Sequence, residues 1–130
     1  MIANLGPDFA PLLPRVRSKV PGNLQLVMAH RCSYKHRQFV HFTFKNSDTL
    51  LSLVIAHKQD GEQLSGPELG QALMQSGIPI YRSQVQSFQI AAFDAGDYFA
   101  YVVSDLSSGQ NSRIAVALSP EVQGFLRLRG

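Results

Sequence analysis

Apolar residues at Phe9, Leu12, Leu13, Val16 and Val20 recur at the spacing of one helical face, so the chain is expected to open with a helix. Pro11 suits its first turn, Pro14 should kink or restart it, and Pro21-Gly22-Asn23 should end it. The period then changes. Residues 24–32 are apolar and β-branched, and 33–37 form a polar, charged hairpin loop. Residues 38–45 alternate, with Val40, Phe42 and Phe44 on one face and Phe39, His41 and Thr43 on the other. Asn46-Ser47-Asp48 is a turn, and 49–57, apolar on both faces, reads as a central strand. Three strands joined by short polar turns predict an antiparallel meander.

Residues 67–75 begin with a proline and are followed by Gly77, which predicts a short helix. Residues 78–82 do not decide between elements. Residues 84–93 and 98–104 read as two further strands meeting at the tight turn Asp94-Ala95-Gly96-Asp97. Residues 111–118 are helical, capped by Ser107 or Ser108, and Ser119-Pro120-Glu121 marks a second helix start that buries Val122, Phe125 and Leu126. Runs of strands with helices at the ends give an α+β fold. The expectation is a single antiparallel sheet of about five strands, with N- and C-terminal helices packed on one face, in one domain over residues 1–130.

A hydrophobic share of 45% and a charged share of 16% fit a folded globule. No apolar stretch reaches the roughly 18–20 residues that span a bilayer. The first residues lack the basic and apolar regions of a secretion signal. Either a cytoplasmic protein or a soluble piece of a longer one is expected. The net charge of +3 is unevenly spread: residues 1–58 hold eight Lys and Arg against Asp8 and Asp48. Such a basic half suits acidic lipid or an acidic partner. Its charges are dispersed and not interleaved with aromatics, so nucleic acid is not an expected partner. With Cys32 alone, no intramolecular disulfide can form.

The candidate chemistry gathers at His30-Arg31-Cys32 and His41. On a strand, His30 and Cys32 share a face. A register pairing Cys32 with Phe39 places His30 directly opposite His41, and His57 on the next strand would be a fourth donor. Such donors would take zinc, copper or haem. A one-residue slip would separate them, and the competing reading is an inert buried cysteine with structural histidines. Cys32 is also the one candidate thiol nucleophile, near His30, Arg31 and Lys35. Turn chemistry accounts for Asp94 and Asp97, and helix capping for Asp105. Neither a dinucleotide nor a phosphate-binding glycine motif is present, and no residue is singled out as catalytic.

Three segments carry a family resemblance. They are Ala29-His30-Arg31-Cys32 with Arg37-Gln38-Phe39-Val40-His41, then Leu51-Ser52-Leu53-Val54-Ile55, then the run from Ala92 to Leu106 leading into the last helix. Over residues 9–127 the chain resembles the C-terminal domain of bacterial transmembrane anti-sigma-factor-like proteins. The resemblance implies a non-enzymatic sensor or regulatory domain on the extracytoplasmic, periplasmic side of the inner membrane. Its partner would be another protein or the remainder of its own chain, with a homodimer also open. Membrane attachment would come only through a segment absent from this sequence. The zinc-finger region that grips a sigma factor is absent too. The His-x-Cys and Phe-Val-His match falls on His30, Cys32 and His41. Asp97 and Tyr98 stand where the family pattern places a histidine, so no fourth ligand is implied there. The alternative functions are a small metal- or haem-binding protein and a thiol-dependent enzyme at Cys32.

Overall fold

Alternation along the strands decides the architecture. The computed structural model describes residues 2–64, 73–75 and 77–127. Six long strands are antiparallel throughout: β2 (Gln25–Tyr34), β3 (Arg37–Lys45), β4 (Leu50–His57), β6 (Ile78–Val85), β7 (Phe88–Ala95) and β8 (Tyr98–Ser104). Three-residue strands add to each edge, β1 (Ile2–Asn4) parallel to β2 and β5 (Leu73–Gln75) antiparallel to β6. The order is β1-β2-β3-β4-β8-β7-β6-β5, so β4 is central as its two-sided apolar pattern predicts. The helices are α1 (Gly6–Phe9), α2 (Leu12–Arg17) and α3 (Ser108–Arg127). α3 lies against β6, β7 and β8, and α2 packs beside it.

One face of the sheet and the helical layer enclose the core. Phe42 and Phe44 on β3, Leu51, Leu53 and Ile55 on β4, Phe93 on β7 and Val102 on β8 meet Leu12, Val16, Leu118, Val122 and Leu126. Burying one such side chain is worth about 1.5–3 kcal/mol, so the alternation that aims these residues inward fixes which face the helices cover.

The sheet is larger than the five strands expected, for local reasons. Residues 84–93 hold two strands, because the chain reverses at Gln86-Ser87 with Gln86 at a positive φ of 54°. Turn chemistry without glycine hid that hairpin. The helix expected over 67–75 falls partly outside the described residues, and Leu73–Gln75 is strand. The opening helix breaks before Pro11, not at Pro14. Pro14 sits in the first turn of α2, where an amide hydrogen has no partner within that helix.

At the C-terminus the two expected helices are one. Pro120 lies inside α3 and cannot donate to Val116, but the Ser119 hydroxyl donates to the Val116 carbonyl at 3.1 Å and satisfies it. Ser119 therefore mends the helix at its proline and is not an N-cap. Ser107 is the true cap: its hydroxyl accepts from the Gln110 amide at 3.2 Å, and the Gln110 side chain accepts in return from the Ser107 amide.

Candidate functional site

Among the described residues no helix packs on the second face of the sheet. The strands present there a mixed set of side chains: Met28, His30 and Cys32 from β2, then Phe39, His41 and Thr43 from β3. Ser52, Val54 and Ala56 on β4 face Phe99, Tyr101 and Val103 on β8, with Ile90 and Asp94 beyond them on β7. Most are half-buried, held by their strand neighbours and open above.

A bulge aims the β2 residues at this face. Leu26 pairs with Phe44 and Met28 with Thr43, so Val27 is an extra residue and exposed. Without it, the alternation that buries Leu26 would carry Met28, His30 and Cys32 under the helices. With it, Ala29 takes the core position and His30 faces outward.

The register is the one on which the His30–His41 pairing depended. Cys32 pairs with Phe39 and His30 with His41, and the imidazole centroids stand 5.5 Å apart. The turn itself is tighter than the expected loop. Only Lys35 and His36 lie outside the strands, both at positive φ (49° and 66°), as a two-residue I′ hairpin turn requires. Nε2 of His41 lies 3.3 Å from the Thr43 hydroxyl, which is 3.3 Å from that of Ser52. Burial first, and then the neighbouring His30, hold the His41 imidazole below its ordinary value. Cys32 is exposed on the same face. Among the described residues no three of His, Cys, Asp and Glu are grouped so as to hold a metal ion. His57 does not join the pair. Phe39 pairs with Ala56, so His57 shares a face with Ile55 on the helical side, where its ring stands nearly perpendicular to that of Tyr98 with centroids 4.9 Å apart.

Charged pairs rim the end of this face where β3 begins and β4 ends. Both guanidinium nitrogens of Arg37 donate to the Glu62 carboxylate at 2.7 Å, which depresses Glu62 and raises Arg37 from their usual values. Lys58 meets Asp94 at 2.6 Å and lies 5.0 Å over the Phe99 ring, which is only 3% exposed. Between the pairs sits Tyr101. Burial raises its phenol above the usual value, and Arg37 opposes the shift. The sequence reading did not identify this rim. The signal was present in Phe99 and Tyr101, which alternate with Ala100 and Val102 on β8.

The remaining carboxylate expectations change as well. Asp94 is an ion-pair partner at the end of β7, and Asp105 accepts from the Leu50 amide at 3.0 Å, tying β4 to the end of β8 instead of capping α3. The buried polar link there is Ser104, whose hydroxyl donates to Asn111 at 2.7 Å while Asn111 donates to the Val102 carbonyl at 3.1 Å. A pocket of about 310 Å³ lies elsewhere, between Pro21, Leu24, Thr49, Leu106 and the start of α3. Arg113 is the one charged side chain lining it.

The chain thus belongs to the α+β class, and among its described residues helices cover one side of an antiparallel sheet and leave the other open. No family model and no curated protein matches it. Among solved structures it is similar in fold to the crystal structure of MucB in complex with MucA(peri), with a TM-score of 0.51 and 14% identity over 75% of this chain. The match covers 33% of the MucB chain, so this protein spans about a third of that length.

Proposed function

We propose that this chain is a non-enzymatic regulatory interaction domain of an anti-sigma-type system on the extracytoplasmic side of the bacterial inner membrane, and that it holds a protein partner on the open face of its sheet. The observation that carries this reading is the face itself. Val54, Tyr101, Val103, Ile90 and Phe39 form a half-buried apolar and aromatic surface on four neighbouring hydrogen-bonded strands, with the Arg37–Glu62 and Lys58–Asp94 pairs at one end. Aromatic and aliphatic anchors on a rigid support inside a polar rim are the usual anatomy of a protein contact. The fold likeness supports the direction, because the similar protein, MucB, is seen bound to another protein, MucA(peri).

Calorimetric titration with the extracytoplasmic segment of the anti-sigma protein from the same organism tests the proposal. Saturable one-to-one binding is expected, weakened about tenfold or more by Val54→Asp or Val103→Asp and unchanged by Arg113→Ala, which lines the distant pocket. No binding, or binding indifferent to the two face variants, would overturn it.

A further inference from the structure

We propose that His30 and His41 form a chelating site for one divalent late transition ion, zinc(II) being the reference case. This site is independent of the partner reading. The two imidazoles sit directly opposite each other on antiparallel strands, on the open face, at a centroid separation of 5.5 Å. With metal–nitrogen bonds of about 2.0–2.1 Å, two imidazoles that share one tetrahedral ion hold their centroids about 5–5.5 Å apart. The rings therefore stand at nearly the required span before any ion arrives.

The surroundings favour ligation over a passive ring contact. The bulge at Val27 is what brings His30 to this face, and the strand pairing on both sides of His41 fixes its backbone. When Nε2–H of His41 donates to the Thr43 hydroxyl, Nδ1 is left with a free lone pair. Outer hydrogen bonds of this kind set tautomer and ring orientation in metal sites. Ser52 lies 3.3 Å behind that hydroxyl and steadies it. Cys32 is diagonal to His41 and outside the pair, so water completes the coordination. An open site of this type binds, and leaves positions free for a ligand.

Zinc(II) titration by calorimetry, on protein prepared without a metal-affinity step, gives the test. One equivalent is expected to bind saturably. His30→Ala and His41→Ala should each lose binding by well over tenfold, and Thr43→Val about tenfold through its positioning role. His36→Ala, His57→Ala and Cys32→Ser should bind as the parent does. Imidazole nitrogen resonances read on the unaltered chain do not depend on any variant folding: those of His30 and His41 should shift on zinc addition and those of His36 and His57 should not. The proposal is overturned if no saturable binding occurs, if the shifts fall on other histidines, or if Cys32→Ser loses as much as His30→Ala.

Discussion

Leu53 and Val54 are neighbours on β4 and point to opposite sides of one sheet. Leu53 is 2% exposed, between Phe42 and Val102 and under the helical layer, whereas Val54 is half-buried between His41 and Tyr101 with no helix of the described residues above it. The covered face contains large apolar side chains and one small polar link, Ser104 with Asn111. The open face mixes imidazole, hydroxyl, phenol and ion pairs among its apolar residues. Antiparallel sheets with one solvated side usually turn polar residues outward. Here the outward side keeps enough aromatic and aliphatic surface to need a reason, and contact with a partner supplies one. The comparison separates a face packed for stability from one that, on the proposed reading, is left for a partner.

The largest expected effect breaks that division if it is wrong. Leu53→Ala should lower unfolding stability by about 2–5 kcal/mol, because it leaves a cavity in a packed core. Val54→Ala, one residue along, should cost about 1 kcal/mol or less. Chemical denaturation of the two variants is the measurement. Equal losses would mean that the open face is as constrained as the core, and that something in the folded chain already covers it.

A middle-sized effect concerns the cover itself. α3 stays continuous past Pro120 because Ser119 satisfies the Val116 carbonyl at 3.1 Å. Ser119→Ala leaves that carbonyl unpaired beside a buried position, at a cost of about 1–3 kcal/mol. Hydrogen exchange should rise selectively over residues 121–127, where Val122, Phe125 and Leu126 are the buried contacts. Uniform exchange along α3 would show that the proline is tolerated without the serine.

The same contrast explains what could be read from the sequence. The covered face was legible: Val40, Phe42 and Phe44 alternate cleanly, and a period of two has one solution when one face is buried. The pairing of His30 with His41 was legible only as one possible register, because the loop read over 33–37 did not fix the count that the two-residue Lys35-His36 turn sets. The bulge at Val27 was not, since an extra residue leaves no mark in an apolar run. Neither was the hairpin at Gln86-Ser87, where residues other than glycine or asparagine make the turn. The second helix start at Ser119-Pro120 was misread because a serine before a proline marks an N-cap as well as it marks a repaired break. The open face was hidden for a plainer reason. Phe99 and Tyr101 look alike in sequence, and only the placement of the helices and of Lys58 shows that Phe99 is buried while Tyr101 stays half-buried.

The smallest effect sharpens the comparison at one atom. Tyr101 sits in the middle of the open face, half-buried, and its ionised form would have to be hydrated there. Burial therefore lifts its pKa above the ordinary value of 10.0, with Arg37 opposing and Glu62 and Asp94 adding to the rise. A phenol whose folded value is raised contributes stability that is fully present below the unfolded value. That stability is lost as pH rises through the folded one. The window thus opens above pH 10, well clear of the histidines. A site-resolved titration of the Tyr101 ring carbon should show a midpoint above 10, moving higher in Arg37→Gln, where the favourable cation is gone. If a partner seats on this face, the bound form should titrate later still, because the remaining water is expelled. A midpoint at or below 10 in the free protein would mean that Tyr101 is hydrated, and the open face would then be a wet surface with little apolar contact to offer.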